Sequence, residues 1–431
     1  MWMKLIYPRW PKLPEQTEFH LPPHGPIVFA ASVPPEVHLT FHDDNRGEPD
    51  LEDRPDLVAL SVMLTCQVPR AKEIAAIYRR RGIPVIAGGI AVAIHSEEMA
   101  ACCDAVFLGE VEGHFQEVLD DFKARRLKRV YDRMQALPPI ESVPPARREI
   151  LDYSLYTYRG VRMVDLVHAS RGCRFQCPPC SVAFLGGRCF RPRPVERVVE
   201  EVAGIDNGRL FFVDNSLAQN KAWELELFRA LKPLKRKWIS HPIEADDEVL
   251  QAAYEAGAWY VYQAITAPTE GIRRRIQMYR DHGIAIEGTI ILGTDDQTRE
   301  DVIRLVEFCV EMDLDMAEFT VMTPFLHTPY REQVEAEGRV LHNDWSQYTT
   351  GKVVFQPKHM TPSELQDLYH WAWDRFYGAD GRQTRMARLF RKVVLRERQD
   401  GTTTMPDGTV RGWVRPGSGS QAGTGDSPGN P

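Results

Sequence analysis

The sequence predicts an α/β protein in two parts. A doubly wound parallel sheet comes first, then a partial (β/α)6 barrel, with a small, mostly helical region at the C-terminal end. Three observations carry that expectation. Short apolar runs alternate with helical patterns in two series, one over residues 1–123 and one over 161–325. Most runs are continuously apolar, as strands buried on both faces are. Between the series, 124–160 loses its periodicity and carries Pro138-Pro139, Pro144-Pro145 and a basic cluster at Arg125–Arg129, which reads as an interdomain connection.

In the first series, Lys4–Tyr7, Val37–His42, Leu57–Met63, Ile83–Ala87 and Ala105–Leu108 read as strands. Amphipathic helices are expected over Val68–Arg81, ending at Gly82, and over Glu112–Lys123. Ligands of such sheets bind beyond the C-terminal strand ends, where Ser61, Gly88 and Gly109 fall. In the second series the strands are Val164–His168, Arg209–Asp214, Trp238–His241, Trp259–Ile265, Ile284–Leu292 and Ala317–Met322. Helices lie between them at Val195–Ala203, Ala222–Leu231, Glu248–Glu255, Gly271–Asp281 and Arg299–Met312, too few units for a closed eight-stranded barrel. Residues 326–400 are less regular but contain two helical patterns, Pro362–Tyr377, introduced by an N-capping Thr361, and Thr384–Arg398. Residues 401–431, rich in Gly, Thr, Ser and Pro, are expected to be a disordered tail.

Composition bounds the function. With 431 residues, 43% hydrophobic and 26% charged, and a formal net charge of −7 with interspersed signs, nothing suggests nucleic acid or an anionic membrane as partner. The longest apolar runs, Gly25–Val33 and Ile284–Leu292, fall short of the roughly 20 residues of a membrane helix. The N-terminal segment lacks the apolar core of a signal peptide. Eight cysteines, three of them within eight positions, point to metal rather than a disulfide framework, and so to a reducing cytoplasm.

Those three are Cys173, Cys177 and Cys180, in the run Ser170-Arg-Gly-Cys-Arg-Phe-Gln-Cys-Pro-Pro-Cys180. A C-x3-C-x2-C loop brings three thiolates, one fewer than a closed site needs, which suits a [4Fe–4S] cluster with one iron open to an external ligand. The plainer alternatives are zinc and, for Cys177-Pro-Pro-Cys180, a redox dithiol. Cys189 serves as a fourth ligand only if the Gly186-Gly187 turn folds back.

With its Ser-Arg-Gly lead and the following Ser181-Val182, this motif resembles that of the radical S-adenosylmethionine superfamily, in the branch with an N-terminal cobalamin-binding-like domain. The resemblance covers roughly residues 1–400. It implies that S-adenosylmethionine chelates the open iron and is cleaved reductively to a 5′-deoxyadenosyl radical. At the second strand end, Asp214 and Asn215 stand where the family binds the methionine amino group; Asp214-Asn215-Ser216 equally reads as a simple cap or turn. Glu287-Gly-Thr-Ile-Ile-Leu-Gly-Thr-Asp-Asp296 resembles the segment that passes the adenosyl group, with Gly288 allowing close approach or serving a bulge or packing alone, and Gln263 and Thr323-Pro324 are further cavity candidates. Pro179 replaces the usual aromatic residue before the last cysteine, and Phe175 and Phe184 are candidates to take over its stack.

In the first part, Gly88-Gly89 and Leu108-Gly-Glu-Val-Glu-Gly113 resemble the loops that hold the nucleotide tail of cobalamin, which assigns Gly88, Gly89, Gly109, Glu110 and Gly113 to that cofactor. Ser61 and Thr65 resemble the polar positions of the third strand end. The D-x-H-x-x-G motif that ligates cobalt is absent; the loop reads Pro8-Arg-Trp-Pro-Lys-Leu-Pro, with His20 and His24 later. The aromatic helix after Lys352–Pro362 resembles a region bordering the substrate cavity, although Tyr369, Trp371, Trp373, Phe376 and Tyr377 also suit a core. The resemblance implies a cobalamin-dependent enzyme methylating an unactivated carbon of a small or lipid-like metabolite, with electrons from flavodoxin or ferredoxin. The alternatives are a cyclase, rearrangement or oxidation enzyme of the same branch, and a non-catalytic zinc or iron–sulfur protein.

Overall fold

The computed structural model describes residues 1–15, 20–186, 188–378 and 381–411. Its first unit is a six-stranded sheet of β1 (Trp2–Tyr7), β2 (His38–Asp43), β3 (Leu57–Ser61), β4 (Val85–Gly88), β5 (Ala105–Leu108) and β6 (Val130–Asp132). The order is β2-β1-β3-β4-β5-β6 and every pair is parallel. Alternate residues feed two cores. Ile6, Val58, Leu60, Val85 and Val106 face one helical layer, while Met3, Leu5, Leu57, Ala59 and Ile86 face the other. Burial on both faces is why these strands read as unbroken apolar runs. The order of the strands reverses between β1 and β3, so the crevice beyond their ends, at Tyr7 and Ser61, is where such a sheet takes its ligand.

The second unit has β7 (Asp165–Val167), β8 (Arg209–Phe212), β9 (Lys237–Ser240), β10 (Ala258–Ala264), β11 (Ala285–Leu292) and β12 (Met316–Val321), all parallel and in sequential order. This is the open six-stranded barrel the sequence predicts. Its outer helices begin where short polar side chains satisfy free amides: Asn220, Asp246, Thr269 and Thr298 each cap one.

The N-terminal ends of the barrel strands are plugged by the helix Gly381–Gln399. Its Met386, Leu389 and Val393 pack on Val164, Leu166, Phe211, Ile239 and Trp259 from inside the barrel. Arg209 to Glu397 at 2.8 Å and Lys237 to Asp400 at 2.5 Å fasten it to the strand starts.

Three expectations need correction. The connection 124–160 contains β6, whose three residues among arginines are too few to show a pattern. Residues 401–411 are not a tail: Thr403–Thr404 and Val410–Arg411 pair as a hairpin, and Pro406 and Gly408 bond Arg162 and Gly208 at the barrel base. The remainder, 412–431, lies outside the described residues. Helices His24–Ala31 and Pro329–Ala336 were also not legible.

Candidate functional site

The cysteine loop leaves β7 at the C-terminal face of the barrel and returns as Arg191–Pro192, paired with Ser170–Arg171. Its base is clamped by Asp214. That carboxylate accepts from the Ala169 amide at 3.0 Å and from the Ser170 hydroxyl at 2.5 Å, and is buried at 2% exposure. Burial pushes its pKa up to about 6 against the pull of those hydrogen bonds. Asp214 is thus a clamp whose oxygens are already taken, whereas Asn215 is exposed and lines the large cavity described below.

Gln219, which the sequence reading missed, accepts from the Arg174 amide at 2.9 Å and donates toward the Cys173 sulfur at 3.5 Å. Its only signal is its place in the loop after β8, across from the cysteines. Cys177 and Cys180 are exposed and Cys173 half-buried. Among the described residues no three His, Cys, Asp or Glu side chains converge as ligands of a single metal ion. An iron–sulfur cube spreads its thiolates over separate irons, so its ligands do not have to converge. Three accessible thiols on one clamped loop fit such a group. Cys189 lies with its backbone against Gly172, and its thiol donates to the Gly186 carbonyl at 3.0 Å.

Ion pairs tie this loop to the first domain. Arg171 bonds Glu110 at 2.7 Å and also Glu112, while Arg191 bonds Glu110 from the returning strand. Glu110 therefore ties the two domains together. Phe184 stacks on His327 with ring centroids 4.2 Å apart, so it is committed to packing, and Phe175 is 56% exposed. Half-buried His24 and buried His168, 3.0 Å apart, span the same junction. Burial and the nearby Arg148 lower His24 to about 3, so it is neutral.

A slot of about 270 Å³ opens beyond β3, β4 and β5. Apolar side chains such as Leu5, Phe29 and Phe115 line it, and Ser61, Gly88, Gly89, Gly109 and Glu110 form part of its wall. Gly89 has φ +107° and a Cβ there would stand 2.5 Å from the Val62 carbonyl oxygen; at Gly109, φ +100°, it would stand 2.8 Å from Arg133. Only glycine keeps both turns tight enough to leave the slot open. An apolar slot with a glycine rim fits a flat nucleotide base. Two predicted residues stay outside it. Thr65 is turned inward and bonded to His95 at 3.2 Å, and Gly113 faces open space.

The slot shares Ser61, Gly89 and Ile90 with a cavity of about 800 Å³ that runs into the barrel lumen. His20, oriented by Asp43 at 2.9 Å, lines the domain junction. Inside the lumen two sequence assignments miss by one residue. Gln263 points outward and donates to Tyr279 at 2.7 Å, leaving Tyr262 inside. Gly288 also faces outward, where a Cβ would stand 2.7 Å from Leu314, and its neighbour Glu287 enters the lumen. Thr323, proposed for the same cavity, is buried and bonds the Val321 carbonyl.

Of the aromatic helix, Tyr369, Trp373 and Tyr377 reach the cavity, and Phe376 is core. Glu287 accepts from the Tyr260 hydroxyl; burial, reinforced by Glu318 nearby, raises its pKa to about 7.

Comparison with known proteins agrees with this geometry. The B12 binding domain family matches residues 48–119. The chain is 28% identical to an uncharacterized methyltransferase of Pyrococcus horikoshii, over 83% of this chain and 88% of that one. It is 25% identical to bacteriochlorophyllide d C-12(1)-methyltransferase of Chlorobaculum tepidum, over 80% of each, and 23% identical to hopanoid C-2 methylase of Rhodopseudomonas palustris, over 79% and 71%. In fold it is similar to the radical S-adenosylmethionine methyltransferase TsrM of Kitasatospora setae, solved with cobalamin and a [4Fe-4S] cluster bound. The TM-score is 0.59 at 18% identity, and 85% of each chain is covered.

Proposed function

We propose that this chain, a radical S-adenosylmethionine protein with an N-terminal B12-binding domain, methylates an unactivated carbon of a small or lipid-like molecule. One observation carries the reading: a single cavity runs from Ser61 and Gly89, at the strand ends of the first domain, to Tyr262 and Glu287 in the barrel. A methyl donor held on the first domain and a substrate held in the lumen would share that space, and methyl transfer requires such proximity.

In this reading Cys173, Cys177 and Cys180 hold a [4Fe–4S] cluster, and Asn215 meets the methionine part of S-adenosylmethionine. The slot rimmed by Gly89 and Gly109 takes the nucleotide base of cobalamin. When bound, these groups supply a carbon radical and a transferable methyl group. The protein's own part is to hold and exclude. Asp214 and Gln219 fix the cysteine loop, Glu110 keeps both cofactor loops in register, and the helix Gly381–Gln399 seals the lumen base against water. The eight cysteines are all unpaired, which suits a reducing compartment; the reading takes flavodoxin or ferredoxin as electron donor because reductive cleavage of S-adenosylmethionine requires one. Among the described residues no helix is long and apolar enough to cross a membrane.

The reading is tested by anaerobic reconstitution with iron, sulfide and cobalamin, followed by product analysis with S-adenosylmethionine and a reductant. The expected outcome is about four irons and one cobalamin per chain, with release of both S-adenosylhomocysteine and 5′-deoxyadenosine. Stoichiometric zinc without iron would sink it, and 5′-deoxyadenosine alone would favour rearrangement or oxidation.

A further inference from the structure

Resting on the reading of this cavity as the place where cofactor and substrate meet, we propose that His241 is a specificity residue. Its Nε2 accepts a hydrogen bond from an uncharged O–H or N–H group, carried either by S-adenosylmethionine or by the substrate. His241 is the first residue after β9, at the C-terminal face of the barrel, and it lines the large cavity. Its Nδ1 stands 2.5 Å from the Asp214 carbonyl oxygen. A carbonyl only accepts, so Nδ1 carries the proton. Burial holds the imidazole pKa below its ordinary range, so the ring is neutral and Nε2 keeps a lone pair without a proton.

The fold accounts for every part of this ring except that lone pair. The ring packs nearly perpendicular to Phe211 and Tyr262, with centroids 5.4 Å from each. Nδ1 sets its orientation. Among the described residues Nε2 has no hydrogen-bond partner, and unlike the sealed nitrogens of Trp259 and His168 it stays open. Phenylalanine would fill the same place, so the imidazole adds an acceptor to a stretch of wall that is otherwise Phe211, Val213 and Ile239. Asn215, next to the residue that anchors the ring, also lines the cavity, so an entering molecule meets two polar groups at these strand ends. A fixed acceptor discriminates: it favours a hydroxyl or N–H and faces an ether or carbonyl oxygen lone pair to lone pair.

The test is anaerobic calorimetric titration of the reconstituted holoprotein, without reductant so that nothing is cleaved. S-adenosylmethionine is the first probe. Indole and benzofuran, which differ in one N–H, are the second, added to protein saturated with S-adenosylmethionine. His241→Phe and His241→Leu are apolar replacements of different size. In them, either S-adenosylmethionine should bind at least about fivefold more weakly than in wild type, or a wild-type preference of at least about fivefold for indole should be lost. The first result assigns the donor to the cofactor, the second to the substrate. His241→Gln, whose amide oxygen accepts near the place of Nε2, should restore most of the effect.

Unchanged S-adenosylmethionine affinity, together with an indole preference that is absent or survives both apolar variants, would overturn the proposal. So would a loss that His241→Gln does not restore. Variants are compared at wild-type iron and cobalamin content; if neither apolar variant reaches it, His241 is a structural residue and the proposal falls. Iron, cobalamin and the products of S-adenosylmethionine are measured on the same preparations. Their absence from wild type strikes the methyltransferase reading, whereas full loading with an indifferent His241 strikes this one.

Discussion

Replacing Asp214 by asparagine should change how stability depends on pH in a direction the structure fixes. The side chain is buried and its pKa stands at about 6 against a reference of 3.8. A folded-state pKa raised in this way means the native protein binds the proton more tightly than the unfolded chain. Its stabilising contribution is therefore complete below about pH 3.8 and is lost as pH rises through about 6. The difference of about two units corresponds to roughly 3 kcal/mol at 1.36 kcal/mol per unit.

Asparagine keeps an oxygen for the Ala169 amide but never ionises. The assay is urea denaturation of wild type and Asp214→Asn in parallel at about pH 4 and about pH 7.5, with all other titrations cancelling in the difference. The variant should gain about 2.5 kcal/mol on wild type between the two pH values, because the unfolded carboxyl is already partly ionised at the lower one, whatever the constant offset from altered hydrogen bonds. A wild-type advantage that grows with pH would mean that the ionised carboxylate is the favoured form. The account of Asp214 as a clamp that burial penalises would then be refuted.

Other outcomes follow from the same geometry. A double-mutant cycle of Glu110→Gln and Arg171→Met should show about 1–2 kcal/mol of coupling in cobalamin affinity, because the pair joins the slot to the cysteine loop; additive effects would separate the two sites. Gly89→Ala forces a Cβ against the Val62 carbonyl at positive φ, costing about 1–3 kcal/mol, and should abolish cobalamin retention on gel filtration before it abolishes the cluster absorbance. Cys177→Ala should eliminate both iron loading and S-adenosylmethionine cleavage. Cys189→Ser should leave iron content unchanged, since its thiol is bonded to Gly186; loss of iron there would indicate a four-cysteine site.

Much of this protein was legible in its sequence. Two series of apolar runs separated by helical periods give two parallel sheets, because strands covered on both faces by helices must be apolar throughout. The cysteine spacing gives the loop, and Gly88-Gly89 with Gly109-Glu110 gives the mouth of the slot. The same continuous apolarity conceals which face of a strand looks inward. At Gln263 and Gly288 the reading fell on the outer face while Tyr262 and Glu287 occupied the lumen, since successive side chains alternate and an error of one residue reverses the assignment. Asp214 illustrates a second limit. A carboxylate at a strand end looks like a ligand until the structure shows both its oxygens engaged by Ala169 and Ser170.

The sequence by itself determined the architecture and the place of the cysteine loop after the first barrel strand, both of which depend on local spacing and periodicity. Tertiary structure alone decided what faces the cavity. Glu110 meets Arg171 across 61 positions, and Glu287 and Glu318 share a lumen only because strand register sets them side by side. Such pairings depend on how distant segments dock, and no pattern within either segment carries that information.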